Sequence, residues 1–86
     1  MNADQLRASL ASLEVNGTFT EAVVTLTDGS RLCFRHRVGE RSIECFPGGS
    51  SASVAGDLLP AIATFRLNAK HLDIRFADGS AWEAPF

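Results

Sequence analysis

Polar and apolar side chains alternate over two long stretches of this chain, and a two-residue repeat of this kind predicts β-strands with one buried face. The first residues follow a different spacing. Leu6, Leu10 and Leu13 lie three or four positions apart, which is the repeat of an amphipathic helix. Gly17 follows at a position typical of a left-handed C-cap. The pattern therefore predicts an N-terminal helix over residues 2–14, followed by strands.

An Asp-Gly-Ser motif occurs at residues 28–30 and again at residues 78–80. Each Asp-Gly pair lies between alternating apolar runs, which favours a β-hairpin. A three-residue loop ending at Gly29 or Gly79 places apolar residues opposite each other in both copies, whereas a two-residue loop does not. The predicted pairs are Val24 with Leu32, Ala22 with Phe34, Glu21 with Arg35, Ile74 with Trp82, and Leu72 with Ala84.

Two further turns are expected to join the remaining strands. Gly39-Glu40 predicts a two-residue turn, and residues 68–71 predict a four-residue loop. Residues 47–57, rich in glycine and serine, predict a flexible loop in which Asp57 caps a helical turn. The predicted pairs at the two turns are Ile43 with His36, Cys45 with Phe34, Leu67 with Leu72, and Phe65 with Ile74.

Together these elements predict a single α+β domain over residues 1–86, in which the N-terminal helix precedes six antiparallel strands. The strands form two three-stranded meanders, arranged as a single sheet or a small partly open barrel. The predicted strands cover about 18–26, 30–38, 41–46, 62–67, 72–76 and 80–84. The predicted interior consists of Leu6, Leu10, Leu13, Ala22, Val24, Leu26, Leu32, Phe34, Ile43, Cys45, Phe65, Leu67, Leu72, Ile74, Phe76 and Trp82.

Length and charge restrict the classes of function. A domain of 86 residues buries only about 60 to 65 % of its unfolded surface, so its core is thin and self-association is a reasonable expectation. The formal charge of −2 argues against dependence on phosphate backbones, whose binders are usually basic. The sequence contains neither a bilayer-spanning apolar run nor a signal-peptide pattern, so we expect a cytoplasmic protein without a membrane partner.

Cysteine and histidine are the residues that most invite a chemical hypothesis. Cys33 and His36 are three positions apart in one predicted strand, which points them to opposite faces and disfavours zinc. We expect free thiols, one buried and one exposed, with Cys45 on the inner face. Cys45 and His36 share that face, but no group that would orient the histidine is apparent. The expectations are therefore no catalytic residues, no metal, no cofactor and no enzyme, with a Cys45/His36 thiol enzyme as the remote alternative.

Arg31, Arg35 and Arg37 alternate along one predicted strand, and Arg41 lies across the next turn; we call these four residues the arginine stripe. A row of cations on an outer sheet face is typical of proteins that bind anions or nucleic acid. Glu21 and Glu44 are expected to compensate part of this charge. Tyrosine is absent from the sequence, and the core takes most other aromatic rings, which leaves Phe19 and Phe46 exposed. The candidate binding residues are Arg31, Arg35, Arg37, Arg41 and Phe46.

The leading functional expectation is a small non-catalytic protein-interaction module, acting as a homodimer or with another protein. A free sheet edge offers a surface for strand addition. The alternative is binding of nucleic acid or an anionic ligand through the arginine stripe.

Overall fold

The computed structural model of the chain describes residues 3–48 and 54–86. These residues form two short helices, a 3₁₀ turn and seven strands, one strand more than predicted. The elements are α1 (Ala3–Ser9), β1 (Leu10–Val15), β2 (Glu21–Leu26), β3 (Arg31–Arg37), β4 (Glu40–Phe46), α2 (Val54–Leu58), the 3₁₀ turn (Leu59–Ala61), β5 (Ile62–Leu67), β6 (His71–Phe76) and β7 (Ala81–Pro85).

The strands form two antiparallel sheets, not the single sheet or partly open barrel predicted. One sheet has the order β1-β2-β3-β4, and the other has the order β5-β6-β7. Their inner faces share one hydrophobic core, in which the rings of Phe34 and Phe65 meet edge to face at 5.1 Å. The fold is therefore α+β, with mostly strand and small helical parts. Two packed sheets bury both inner faces without joining their edges.

The predicted helix over residues 2–14 is wrong beyond Ser9, where the chain enters β1. A bulge between Leu10 and Ser12 adds one residue to β1 in its pairing with β2. The extra residue brings Leu10, Leu13 and Val15 onto one face, because it shifts the two-residue alternation by one position. This i, i+3, i+5 spacing resembles helical periodicity. Gly17 has no positive φ; the left-handed residue is Phe19, at φ 54°.

The internal repeat includes the segment before each meander. Ala3 and Leu6 of α1 are buried, as are Ala55 and Leu58 of α2, fifty-two positions later. Thr27 N–H donates to Ser9 at 2.7 Å, and Ala77 N–H donates to Ala61 at 2.7 Å. Strand β5 also carries a bulge, between Ile62 and Thr64. Both halves of the chain thus contain a helical segment, a bulged strand and a hairpin, and the first half continues into β4.

Each helical segment is held by the other half of the molecule. Helix α1 packs against β7, and the Ala3 N–H lies 3.4 Å from Ser80 Oγ. Helix α2 packs against β4. The two halves therefore exchange their helices across the core.

The registers predicted for the β2–β3 and β6–β7 hairpins are confirmed at every pair. Gly29 and Gly79 close the two loops at φ 87° and 90°. Hydrogen bonds from the Ser80 hydroxyl (2.6 Å) and the Ser80 N–H (2.8 Å) hold the pKa of Asp78 below its usual value. Asp28 and Ser30 make the same two contacts in the first copy.

Replacing Gly29 or Gly79 with alanine is expected to lower the free energy of unfolding by about 1–2 kcal/mol each, because an L side chain disfavours positive φ. An added Cβ meets no atom within 4 Å at either position, so the loss measures backbone strain alone. Urea denaturation gives the value. Gly29→Asn should lower the free energy of unfolding by less, since asparagine tolerates this conformation. Equal decreases for alanine and asparagine would contradict a strain mechanism.

The β3–β4 turn is formed by Val38 and Gly39, not by Gly39-Glu40 as predicted. The turn therefore lies one residue earlier in the chain than predicted, and Gly39 is its second residue, at φ 76°. Phe34 consequently pairs with Ile43, a shift of two residues from the predicted register. Such a shift preserves the inner and outer faces. The predicted pairs at the β5–β6 loop are confirmed.

The core contains every predicted interior residue, either buried or packed against the buried cluster. The prediction missed the helical contribution: Ala3, Ala55 and Leu58 are also buried. Helix α2 begins at Val54, so Asp57 lies within it and does not cap it. Residues 49–53 of the predicted flexible loop, and Asn2 at the start of the predicted helix, lie outside the described residues.

Candidate functional site

The outer face of the four-stranded sheet carries three arginines of the predicted stripe. Arg31, Arg35 and Arg37 project from the same side of β3, because alternate residues of a strand share a face. The β4 residues paired with them are Phe46, Ser42 and Glu40, in that order. We call this surface of the four-stranded sheet, opposite the core, the outer face.

Arg35 is the most strongly paired of the arginines. Its Nη1 atom lies 2.8 Å from Glu44 Oε1, and its Nε atom lies 3.3 Å from Glu21 Oε2. Glu44 and Glu21 together raise the pKa of Arg35 above its usual value, with Glu44 the larger influence. The compensation expected from the sequence is therefore present as two ion pairs.

Charge on the outer face as a whole is nearly balanced. Its cations are the three arginines of β3. Its anions come from strands on both sides of β3, which place four carboxylates on the same face. These carboxylates belong to Glu14, Glu21, Glu40 and Glu44. Three positive and four negative groups give −1, so the arginines do not create the excess positive potential that draws polyanions.

Arg31 and Phe46 form the more apolar end of the outer face. The Arg31 guanidinium lies over the Phe46 ring, 5.6 Å from its centroid, within the range of a cation–π contact. Phe46 remains 40 % exposed, as predicted for this ring. At the other end, a shallow groove of about 270 Å³ is lined by Arg35, Arg37, Glu40, Ser42 and Glu44.

Arg41 does not belong to the stripe. The Val38-Gly39 turn pairs Arg37 with Glu40, so odd positions of β3 face even positions of β4. Arg41 accordingly pairs with His36 on the opposite side of the sheet. Its Nη1 atom lies 3.5 Å from the carbonyl oxygen of Phe65 in the other sheet. Arg41 therefore links the two sheets.

Strand β4 has an edge without a strand partner, because within residues 3–48 and 54–86 it pairs only with β3, although helix α2 also packs against it. The His36 N–H donates to Thr20 at 2.8 Å, so its backbone faces β2 and not β4. The partner of His36, Arg41, therefore also directs its backbone groups away from β3. The same alternation points the N–H and C=O groups of Ile43 and Cys45 outward.

The other edge strands carry features that disfavour strand addition. Bulges interrupt β1 and β5, and β7 is short and ends at Pro85. Bulges, prolines and short lengths are the usual protection of exposed edges. Strand β4 pairs with β3 over seven consecutive residues without a bulge. Among the described strands, β4 therefore presents the longest regular edge.

Both cysteines are free, as expected, and Cys45 packs against the core from the inner face, but Cys33 is buried and not exposed. Cys33 is 7 % exposed although it lies on the outer face, because Val23 and Glu44 flank it on the neighbouring strands. Burial is the main cause that raises the pKa of the Cys33 thiol, followed by the charge of Glu21. A protonated, buried thiol is a poor nucleophile.

The Cys45/His36 pair considered for thiol chemistry is not assembled. Cys45 pairs with Leu32, which is four residues along β3 from His36. At about 3.3 Å per residue, the two side chains are roughly 13 Å apart along the sheet. Cys45 and His36 are therefore beyond hydrogen-bond reach of each other.

The three-stranded sheet contains a cluster that sequence reasoning missed. His71, Asp73 and Glu83 each offer a donor atom, and these atoms all lie within 4.8 Å of one another. The signal was present in the sequence: His71 and Asp73 are two apart on β6, and the predicted pairing of Ile74 with Trp82 also sets Asp73 opposite Glu83.

Comparisons of this chain with protein-family models, with curated proteins and with solved structures found no match. Among the described helices, none combines the length and the apolar character that crossing a bilayer requires.

Proposed function

We propose that this protein is a non-catalytic interaction module that self-associates, with two copies joining their β4 edges in antiparallel orientation. The observation that carries the proposal is the free, unbulged edge of β4 with outward backbone groups at Arg41, Ile43 and Cys45. Each copy would contribute three N–H and three C=O groups to the new ladder. The two four-stranded sheets would become one continuous sheet.

Charge disfavours two neighbouring registers of this pairing. With the two-fold axis at Ile43, Ser42 lies opposite Glu44 of the second copy, and no like charges face each other. An axis at Ser42 would set Glu40 opposite Glu44 of the second copy, and an axis at Glu44 would set two copies of that carboxylate together. Like charges directly opposite each other destabilise a strand pair. We therefore propose the register centred on Ile43.

The surroundings of the edge also favour association. Ile43 and Cys45 are half-buried and pack against the core, so pairing two edges would extend the apolar layer. Phe46 would lie opposite Glu40 of the second copy, with its exposed ring beside the joint. A small domain gains most from such an extension, because its own core is thin.

Substitutions at Ser42 test the proposal without disturbing the core. Ser42→Glu places a carboxylate opposite Glu44 of the second copy, twice per dimer by symmetry. We expect about a two- to thirtyfold weaker dimer, from roughly 0.5–2 kcal/mol of repulsion. Ser42→Lys should strengthen the dimer by a comparable factor. Light scattering after size exclusion across a dilution series measures both.

The same substitutions have opposite effects inside one copy, which provides the control. Ser42 pairs with Arg35 in β3, so glutamate there favours the folded monomer and lysine disfavours it. If the dimer association constant and the thermal stability of the variants changed in the same direction, the result would count against the proposed interface. A monomeric mass at every concentration would end the proposal of self-association.

The near-balanced outer face gives no support to the alternative of nucleic-acid binding, so we do not propose it. We place the module in the cytoplasm, and its two free thiols agree with a reducing compartment.

A further inference from the structure

We propose that His71, Asp73 and Glu83 form a binding site for a divalent transition-metal ion, with Zn²⁺ as the preferred occupant. The site lies on the solvent side of the three-stranded sheet, and its three ligands belong to β6 and β7, so the proposal does not rest on self-association. His71 and Asp73 share one face of β6, and Glu83 lies directly opposite Asp73 on β7.

The donor set is suited to zinc. An imidazole nitrogen and two carboxylate oxygens are ordinary zinc ligands at about 2.0–2.2 Å, and the nitrogen donor disfavours Mg²⁺ and Ca²⁺. Two donors bound to one such ion lie about 3–3.5 Å apart. The three donor atoms already lie within 4.8 Å of one another, so small side-chain rotations close the site. Three protein ligands leave a further position for water.

The backbone that carries the histidine is fixed in place. The N–H groups of Lys70 and His71 donate to Asn68 Oδ1 at 2.8 and 3.1 Å. The Phe86 N–H donates to the Lys70 carbonyl at 2.9 Å, which joins the end of β7 to the start of β6. Such fixation lowers the entropy lost when the ligands converge on an ion.

The internal repeat shows that the fold does not require these charges. In the first half, the positions equivalent to Asp73 and Glu83 hold Val23 and Cys33, which also pair directly. In the second half, two carboxylates face each other across the strands, and the repulsion between like charges disfavours this arrangement. Within the described residues, Glu83 makes no ion pair of its own. A bound divalent ion removes this repulsion.

Arg75 competes with the ion for Asp73, because its Nε atom lies 3.6 Å from Asp73 Oδ1. Arg66, the strand neighbour of Asp73 on β5, and Arg41 of β4 line the same groove without a close contact to that carboxylate. The Arg75 contact is long and its side chain is mostly exposed, so it is readily displaced. Removing this competitor should therefore tighten metal binding.

Calorimetric titration of the full chain with ZnCl₂ tests the site, together with Co²⁺ absorption as a probe of coordination. We expect one Zn²⁺ per chain. His71→Ala and Glu83→Gln should each weaken binding by more than about tenfold, a loss that even indirect partners of a metal cause when removed. Arg75→Gln should tighten it severalfold. His36→Ala, which removes the other histidine of the chain, is the matched control and should leave binding unchanged.

Backbone amide NMR of the same samples locates the ion. Shifts confined to residues 70–75 and 82–85 support the site. Binding that His36→Ala abolishes, shifts elsewhere in the chain, or no zinc binding below millimolar concentration would each overturn it. Circular dichroism of each variant confirms that it is folded; Glu83 is exposed, so Glu83→Gln should preserve the fold even if His71→Ala does not.

Discussion

Replacing Phe34 with alanine is expected to lower the free energy of unfolding by about 3–5 kcal/mol. Phe34 is fully buried and touches Phe65 of the opposite sheet, so its ring fills the space between the two sheets. Truncation removes apolar burial and leaves a cavity that two rigid strands cannot close. A domain of this size has only about 4–13 kcal/mol of stability in total, so the variant should be close to unfolding. Urea denaturation measures the loss.

Phe46→Ala is the matched control, because it removes the same side chain from the neighbouring strand. Phe46 lies on the outer face and is partly exposed, and its recorded aromatic contact is with the Arg31 guanidinium. We expect the free energy of unfolding to fall by about 1 kcal/mol or less. Similar losses for the two variants would contradict the assignment of inner and outer faces in the four-stranded sheet.

Gly48→Ala is expected to lower the free energy of unfolding by about 1–3 kcal/mol, an effect second to that of Phe34→Ala. A Cβ at this position would overlap the Asp28 carbonyl oxygen and approach the Ser30 N atom to 2.9 Å. Both are backbone atoms of a turn fixed by its own hydrogen bonds, so neither can move without disturbing the β2–β3 hairpin. The measurement is again urea denaturation.

Gly17→Ala separates this clash from the general effect of adding a methyl group to a loop glycine. A Cβ at Gly17 meets no atom within 4 Å, and its φ lies outside the left-handed region. We expect little change, or a slight gain from the reduced entropy of the unfolded chain. A loss at Gly17 equal to that at Gly48 would show that close packing against the turn is not the cause.

Hairpin register was predictable because local chemistry specifies it. An Asp-Gly pair that closes a three-residue loop leaves only one alignment in which Val24 meets Leu32 and Ile74 meets Trp82. The β3–β4 turn was misplaced because Val38 carries no turn signal, while Gly39 fits either position. That error preserved the faces, so the predicted interior was still correct.

Strand β1 was not predictable from the same local pattern. Its bulge gives Leu10 and Leu13 the spacing of a helix, and its pairing with β2 depends on residues seven to sixteen positions away. Tertiary pairing overrides helical periodicity over such short segments. Arg41 was assigned to the wrong face of the sheet. The face of a residue depends on the strand register, not on how close the residue is to other arginines in the sequence.

The packing of each helix on the other half has a consequence for dividing the chain. Helix α1, which contains the buried Leu6, packs against β7, and helix α2, which contains the buried Leu58, packs against β4. Cutting the chain between β4 and α2 would therefore separate each helix from a strand that it contacts. We expect the two halves to unfold together as one cooperative unit, and neither half to be stable alone.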